Sequence, residues 1–330
     1  MRTRRILSLA ILALMMLSLL TGCFLQDTEL GYDVNVNLYV DGELYKTVKV
    51  AGNGRIPCPD APNKENMIFD GWYTDGIFAE KYDFYNPFYL DTNLYARYTL
   101  DAVKVTNMIT DVTMESVVTV INKSYNSAAG GLVETESVTA QGSGVVIDIS
   151  DGWCYVLTNC HVVQGDDSFE KQSITVEDPW SNYYEAQIYS NPKKMGYAMS
   201  TEYDLALICF QYTVTDPEAA LSKITMGNDP KVGDYVISLG APEGQRNSIT
   251  YGKLIEYQKI TVEEGDVIDG VKFDVILHDA HIDHGSSGGP LVDIFGKLIG
   301  LNFAGYNDGY YGCSIPISKV QEFLDLYVYN

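Results

Sequence analysis

The 330-residue chain has no pair of cysteines at C-x-x-C spacing, only four histidines, and half as many basic residues (22) as acidic ones (44). Without C-x-x-C pairs, the usual zinc and dithiol redox motifs are missing. A net charge of −22 repels phosphate backbones and argues against a nucleic-acid partner. The apolar run at residues 6–20 is shorter than the roughly 20 residues that a membrane-spanning helix needs.

Residues 1–22 have the pattern of an export signal, with three arginines among the first five residues followed by that apolar run. The run ends in "LTGC", which resembles the lipobox of bacterial lipoproteins and implies that Cys23 is lipidated and becomes the mature N-terminus. We therefore expect an exported protein that is lipid-anchored at the outer face of a bacterial cell membrane. An ordinary signal peptide followed by a chance cysteine is the alternative. Cleavage of residues 1–22 would remove the three arginines and change the formal net charge from −22 to −25.

The five cysteines beyond Cys23 do not determine a disulfide. Their number is odd, so at least one thiol is free or bonded to another molecule. Three of them lie in apolar, strand-like runs, where a buried reduced thiol is the default. These three are Cys154, Cys160 and Cys209, while the other two are Cys58 and Cys313.

The segment after the leader begins with an alternating apolar pattern, a "DG" pair at 41–42 and a second alternating pattern. This predicts a β-hairpin with a type I′ turn. Together with "FDGWYTD", "KYDFYNP" and "NLYARY", it resembles the internalin B-type, or Listeria–Bacteroides, repeat over residues 32–99. The resemblance implies a small β-grasp-like module that serves as a spacer or attachment module. Residues 23–31 are then a tether and 100–111 a linker.

From residue 112 to residue 330, short strand-like runs alternate with Gly, Pro, Asn and Asp clusters. Many short strands with such turn signals predict an all-β barrel or sandwich. One amphipathic helix is predicted at the end of the chain, with Ser318 and Gln321 as a capping box.

Three residues in this second part have the chain order of the chymotrypsin class of serine proteases. His161 follows a strand in "VLTNCHVV", Asp204 opens a strand in "YDLALICF", and Ser287 lies in "GSSGGP". Acyl transfer needs a nucleophilic oxygen and backbone N–H donors about 3 Å from the developing oxyanion. We predict Ser287 as the nucleophile, with the N–H groups of Gly285 and Ser287 as the oxyanion hole and Ser286 as a neighbour.

The motif "DAHIDHGSSGGPLVD" resembles that of the HtrA/Deg trypsin-like serine proteases. Five other segments also occur in that family's order: "GSGVVID", "LTNCHVV", "YDLALI", "KVGDYVISLGAPEG" and "YGCSIPIS". The resemblance covers about residues 112–328 and implies two perpendicular six-stranded β-barrels with the triad in the cleft between them. Two departures concern the usual Asn before the nucleophile, which is Ser286 here, and the C-terminal PDZ domain, which is not expected after the final helix.

By the same resemblance, the primary specificity pocket has His281 at its floor, Ile282 on one wall and the segment from Asn302 to Gly305 on the other. The floor lacks the aspartate that selects Arg or Lys. We therefore expect a loose preference for small or medium aliphatic residues, since an unpaired cation in an apolar pocket costs several kcal/mol.

The histidines at 278, 281 and 284 are three residues apart, a spacing that alternates faces on an extended strand. No metal site is predicted, and the chemistry requires no cofactor.

These observations predict a membrane-anchored, extracytoplasmic serine endopeptidase that cleaves protein or peptide substrates through His161, Asp204 and Ser287. The alternative is a surface binding or attachment lipoprotein that retains a latent or inactive protease scaffold.

Overall fold

The computed structural model describes residues 30–128, 133–194, 196–240, 248–260, 271–306 and 310–329. The chain divides into two compact units, Met1–Leu100 and Asp101–Asn330. The predicted signal segment lies outside the described residues. No helix in the described part of the chain is both long enough and apolar enough to cross a membrane.

The first unit contains a four-stranded sheet in the order β2-β1-β4-β3, in which β1 pairs antiparallel with β2 and parallel with β4. Asp41 and Gly42, which join β1 to β2, have φ values of 53° and 81°. Two successive positive φ values are what a type I′ turn requires, so the predicted hairpin is confirmed. The strands are β1 Leu30–Val40, β2 Glu43–Gly52, β3 Met67–Tyr73 and β4 Thr92–Leu100.

An aromatic core holds this sheet together, as expected from its composition. Trp72 and Phe88 are 1% exposed and pack with Leu38 and Leu94, which are fully buried. The Trp72 indole N–H donates to the carbonyl oxygen of Pro59 at 2.7 Å, so its one polar atom is satisfied.

The second unit contains a seven-stranded antiparallel sheet in the order β10-β11-β7-β6-β5-β8-β9. Six of its strands close into a barrel because β9 also pairs with β11, at Ile188–Ile208 and Gln187–Cys209. The strands are β5 Val117–Ala128, β6 Val133–Ser150, β7 Trp153–Thr158, β8 Lys171–Glu177, β9 Tyr183–Ile188, β10 Met199–Ser200 and β11 Leu205–Gln211.

A second closed barrel of six antiparallel strands follows, in the order β12-β13-β14-β17-β16-β15. The predicted all-β double barrel is thereby confirmed. The strands are β12 Tyr235–Gly240, β13 Ser248–Gln258, β14 Val275–His278, β15 Pro290–Val292, β16 Leu298–Tyr306 and β17 Tyr311–Pro316.

The described part of the second unit also contains the helices α1 Ala102–Asp111, α2 Cys160–Val163 and α3 Ile317–Tyr327, and 3₁₀ turns at Thr113–Ser116 and Pro217–Ala219. Helix α1 occupies the segment 100–111, for which the sequence predicts a linker. It is capped by the Asp101 side chain, which accepts from the Lys104 N–H at 3.1 Å, and it buries Val105 and Ile109 completely. The helix lies within the second unit, which begins at Asp101, and its Thr106 hydroxyl is 2.5 Å from the Tyr251 hydroxyl on β13.

The C-terminal helix is present where the sequence predicts it, but its cap differs. It begins at Ile317 and has no side-chain cap from within the helix. The Ser318 N–H donates instead to Oδ1 of Asp229 at 3.0 Å, so a residue distant in sequence replaces the predicted capping box.

The described cysteines carry free thiols, and four of the five are buried. This confirms the expectation of buried reduced cysteine at positions 154, 160 and 209. Cys313 is buried as well, and Cys58 is exposed.

Candidate active site

A short turn of helix places His161 directly after a buried strand. Strand β7 ends at Thr158, and α2 begins two residues later. Nδ1 of His161 lies 2.8 Å from Oδ2 and 3.1 Å from Oδ1 of Asp204. The His161 amide N–H also donates to Oδ1 of Asp204, at 3.0 Å. One carboxylate therefore fixes both the backbone and the ring of this histidine.

Asp204 is only 4% exposed and precedes β11 in an unusual backbone conformation. Its φ of 51° lies in the left-handed region, which aspartate tolerates better than most residues. The Asn159 side-chain Nδ2 donates to the Asp204 carbonyl oxygen at 2.9 Å and supports this turn. Because an ionised carboxylate only accepts hydrogen bonds, the pair requires a proton on Nδ1 of His161 and leaves Nε2 for proton transfer.

Residues 283–289, the second part of the loop between β14 and β15, are here called the serine loop. Its glycines are required by close backbone packing: Gly285 and Gly288 have φ values of 93° and 84°. A Cβ atom on Gly288 would lie 2.1 Å from the carbonyl oxygen of Ser143, and one on Gly289 would lie 2.2 Å from a carbonyl oxygen of β12. Any side chain at these two positions would displace the loop.

Ser143, on β6 of the first barrel, forms two hydrogen bonds to the serine loop of the second barrel. Its hydroxyl donates to the carbonyl oxygen of Gly285 and its amide N–H donates to that of Ser287, both at 2.7 Å. The Thr158 hydroxyl in turn donates to the Ser143 carbonyl oxygen at 2.7 Å, which ties this contact to the strand that leads to His161. Ser143 lies in the "GSGVVID" motif, but nothing in the sequence marks its side chain as part of the site.

The hydroxyl of Ser287 donates to the carbonyl oxygen of Phe303 at 3.3 Å. No hydrogen bond joins this hydroxyl to His161 among the residues that the structure describes. Catalytic hydrogen bonds are commonly long or unmade without substrate, so this geometry is compatible with a serine nucleophile. Within the same described residues, the N–H groups of Gly285 and Ser287 donate to no protein acceptor, which leaves both available for an oxyanion.

Ser286 has a different environment from Ser287. It is 5% exposed, and its hydroxyl oxygen accepts from the Asp283 N–H at 3.1 Å. The Ser286 N–H donates back to the Asp283 carbonyl oxygen at 2.9 Å. Ser286 therefore closes the turn and presents little surface to a substrate.

The four residues predicted to form the specificity pocket differ in how much of each is exposed to solvent. His281 and Gly305 are exposed, and Ile282 is 7% exposed. The carbonyl oxygen of His281 accepts from the Thr250 hydroxyl at 2.6 Å, which fixes the backbone at this point. Asn302 is fully buried and its side chain bonds to other buried residues, so it supports the loop from beneath and is not an exposed pocket wall.

The three closely spaced histidines do not share an environment. His278 is fully buried on β14, whereas His281 and His284 are exposed. No group of three or more His, Cys, Asp or Glu in the described part of the chain has an arrangement that could hold a metal ion. That the site needs neither a metal nor a cofactor stays a prediction.

Cys160, the neighbour of His161, is a buried free thiol next to this site. Burial, assisted by the nearby Asp204 carboxylate, raises the pKa of Cys160 to about 12. The neutral thiol is a poor nucleophile.

Two family models match the chain. The model described as a trypsin-like peptidase domain matches residues 142–301, and the model described as a Listeria-Bacteroides repeat domain matches residues 32–97. Both resemblances predicted from the sequence are confirmed.

Curated relatives include serine proteases of the HtrA group. Serine protease HTRA4 of Mus musculus is 31% identical over 198 residues, which cover 59% of this chain and 36% of that protein. Serine protease HTRA1 of Xenopus tropicalis is 32% identical over 189 residues, which cover 57% of this chain and 36% of that protein. The chain thus spans about a third of the length of the curated relatives that it matches.

A solved structure shares the fold. The Rv3671c protease from M. tuberculosis, in its active form, aligns with a TM-score of 0.51 and 24% sequence identity. The alignment covers 69% of this chain and 87% of that one.

Proposed function

Because residues 142–301 are a trypsin-like peptidase domain related to the HtrA serine proteases, we propose that this protein is a serine endopeptidase with Ser287 as its nucleophile. The observation that carries the proposal is the buried Asp204 carboxylate, 2.8 Å from Nδ1 of His161. A carboxylate in this position selects the tautomer in which Nε2 of His161 accepts a proton.

The roles follow from this arrangement. His161 takes the proton of the Ser287 hydroxyl as the oxygen attacks the scissile carbonyl carbon, and Asp204 stabilises the imidazolium that forms. The N–H groups of Gly285 and Ser287 stabilise the oxyanion of the tetrahedral intermediate. His161 then gives its proton to the leaving amine, and water hydrolyses the acyl-enzyme by the same route.

Labelling with a fluorophosphonate probe, followed by peptide mapping, tests the assignment. We expect Ser287 to carry the label, and Ser287→Ala to abolish both labelling and casein cleavage, because losing a triad serine costs about 10⁶-fold in kcat. Ser286→Ala is the matched control and should retain measurable activity, since the Ser286 hydroxyl accepts from the Asp283 N–H within the turn and has no part in the proposed chemistry. Equal loss in the two variants would contradict the assignment.

One observation favours a second candidate, a surface attachment protein with a latent protease scaffold. The Ser287 hydroxyl is bonded to Phe303 and not to His161. A folded protein that resists the probe at every substrate and pH condition tried would support this candidate over the first.

Protein or peptide segments with small or medium aliphatic residues before the cut are the proposed substrates. The proposal rests on the absence of an acidic residue at the pocket floor, where His281 stands. A single methylene in such a pocket changes the preference by only about 1–3 kcal/mol, so selection should be loose. Mass-spectrometric profiling of cleavage sites tests this, and dominant cleavage after Arg or Lys would overturn the pocket assignment without affecting the triad.

Lipid anchoring through Cys23 is proposed from the "LTGC" motif alone, because the motif lies outside the described residues. Two acyl chains would hold the protein stably at the outer face of the membrane, whereas one would not. Cys23→Ala should move the protein from the membrane fraction to the soluble exported fraction, and unchanged retention would contradict the anchor. The repeat domain at residues 32–97 is proposed to mediate surface attachment.

A further inference from the structure

Four buried polar side chains form a connected row inside the second barrel, here called the polar chain. Each member lies on a different strand and is no more than 4% exposed. A barrel interior normally holds apolar side chains, so four polar ones in contact call for an explanation. The members are His278 on β14, Ser314 on β17, Asn302 on β16 and Ser238 on β12.

The contacts along the polar chain are short. Nε2 of His278 lies 3.0 Å from the Ser314 hydroxyl oxygen, and that hydroxyl donates to Oδ1 of Asn302 at 2.8 Å. Nδ2 of Asn302 donates to the Ser238 hydroxyl oxygen at 2.9 Å. The His278 ring is also packed against Gly312, where a Cβ atom would lie 2.2 Å from Cε1 of the ring.

The number of hydrogen-bond donors in the polar chain limits how its four side chains can be oriented. Nδ1 of His278 lies 3.1 Å from the Ala280 carbonyl oxygen, so a neutral ring carries its proton there and Nε2 is an acceptor. The single proton of Ser314 then faces two acceptors, Nε2 of His278 and Oδ1 of Asn302. Turning the Asn302 amide by 180° satisfies both contacts, because its NH₂ then donates to Ser314 and its oxygen accepts from Ser238. In either orientation, and within the described part of the chain, Ser314 links His278 to Asn302 by hydrogen bonds.

The polar chain ends on the residue that holds the serine loop. The Asn302 carbonyl oxygen accepts from the Gly288 N–H, and the Asn302 N–H donates to the Gly289 carbonyl oxygen, both at 2.9 Å. The next residue, Phe303, provides the carbonyl oxygen that accepts from the Ser287 hydroxyl. The side chain of Asn302 therefore sits on the polar chain while its backbone fixes the segment that directly follows Ser287.

We propose that Ser314 is a positioning residue for the nucleophile, acting through Asn302 on the segment Gly288–Gly289. The inference rests on the proposed function, since it assigns Ser314 a part in the geometry of Ser287. Without the Ser314 hydroxyl, Asn302 loses its link to His278, and the loop loses the support that sets the position of Ser287. A displacement of about 1 Å at a nucleophile can cost roughly 100-fold in rate.

A purely stabilising role for the polar chain makes a different prediction. A buried hydroxyl that only stabilises the fold lowers the melting temperature when removed, but it leaves the kcat of the folded protein unchanged. A positioning role lowers kcat, and the rate of fluorophosphonate labelling, in protein that is still folded. The two roles are separated by measuring both quantities at a temperature well below the melting transition.

The test compares Ser314→Ala with Ser116→Ala in the full chain. Ser116 is a matched control, because it is also fully buried and its hydroxyl donates one hydrogen bond, to the Thr113 carbonyl oxygen at 2.7 Å, away from the serine loop. Both variants should lower the melting temperature. Only Ser314→Ala should lower kcat and the labelling rate, by about tenfold to hundredfold, with KM changed much less.

A second variant, Ser238→Ala, changes the other end of the polar chain. Ser238→Ala removes the nearest hydrogen-bond partner of Nδ2 of Asn302, which otherwise has only the carbonyl oxygens of Leu239 and Pro290 at 3.5 Å among the described residues. It should lower kcat in the same way, so the proposal can still be tested if Ser314→Ala does not fold. Unchanged kcat in the folded Ser314→Ala or Ser238→Ala variant, beside an active wild type, overturns the positioning role alone. A wild type that is never labelled at Ser287 overturns the proposed function instead.

Discussion

The hydroxyl of Ser143 donates a 2.7 Å hydrogen bond to the carbonyl oxygen of Gly285 and so ties a strand of the first barrel to the serine loop of the second. The bond fixes the peptide unit that follows Gly285, next to one of the two proposed oxyanion donors. The same residue holds the Ser287 carbonyl oxygen through its amide N–H. Residues of both barrels therefore hold the backbone around Ser287 in position.

Ser143→Ala should lower kcat by about tenfold or more, because the backbone at Gly285, whose N–H is one of the proposed oxyanion donors, then loses the hydrogen bond that holds its carbonyl oxygen. Stability should fall by only about 1 kcal/mol, the typical net value of one hydrogen bond. Steady-state kinetics on a short peptide substrate, with urea unfolding alongside, separates the two effects. Ser150→Ala, at the end of the same strand, removes a hydroxyl that donates to the Asp148 carboxylate at 2.8 Å and should leave kcat unchanged. Equal kcat in the two variants would rule out this role of Ser143.

Asp204→Asn should lower kcat by roughly 10⁴-fold, because an amide donates to Nδ1 of His161 and stabilises the wrong tautomer. The fold should survive, since the replacement is isosteric. Asp148→Asn also removes one negative charge from the second unit, but from a half-exposed site paired with Lys223, and serves as the control. Near-wild-type kcat in Asp204→Asn would remove Asp204 from the proposed triad.

Helix α1 provides a test of the boundary between the two units. Ile109→Ala should cost 2–5 kcal/mol in the free energy of unfolding of the second unit, because Ile109 is fully buried. Val103→Ala, on the same helix, should change it by less than about 0.5 kcal/mol, since Val103 is 73% exposed. Similar small effects in both variants, measured by denaturant unfolding, would show that the helix behaves as the linker that the sequence predicts.

The difference at α1 concerns a local signal that is present in the sequence. The triad candidates could be predicted because each lies in a local motif, and the 41–42 turn because "DG" specifies its own backbone. The linker prediction overlooked Val105 and Ile109, whose spacing of four residues, behind a capping Asp101, is itself a helix signal.

The polar chain had no such signal. The contact between His278 and Ser314 joins residues that are 36 apart in sequence, and that between Asn302 and Ser238 joins residues 64 apart. Their proximity arises only when the barrel closes. The sequence placed Asn302 on the pocket wall by resemblance, and its complete burial could be found only from the structure.

The buried imidazole of His278 predicts a pH dependence of stability. Burial is the main cause that lowers its pKa from 6.5 to about 4 in the folded protein. Between pH 4 and pH 6.5 the unfolded chain therefore binds a proton that the folded chain does not, so stability is lost as the pH falls through this window. From pH 7 to pH 5, this one residue should remove about 2 kcal/mol from the free energy of unfolding.

His278→Asn removes this titration and serves to isolate it from the carboxylates, which titrate in both proteins. The variant should be less stable than the wild type at pH 7, because it disrupts the polar chain, but its free energy of unfolding should fall less steeply between pH 7 and pH 5. The difference between the two slopes, measured by denaturant unfolding at several pH values, should amount to about 2 kcal/mol over this range. Parallel pH profiles for the two proteins would mean that His278 is protonated as readily in the folded chain as in the unfolded one, which its complete burial argues against.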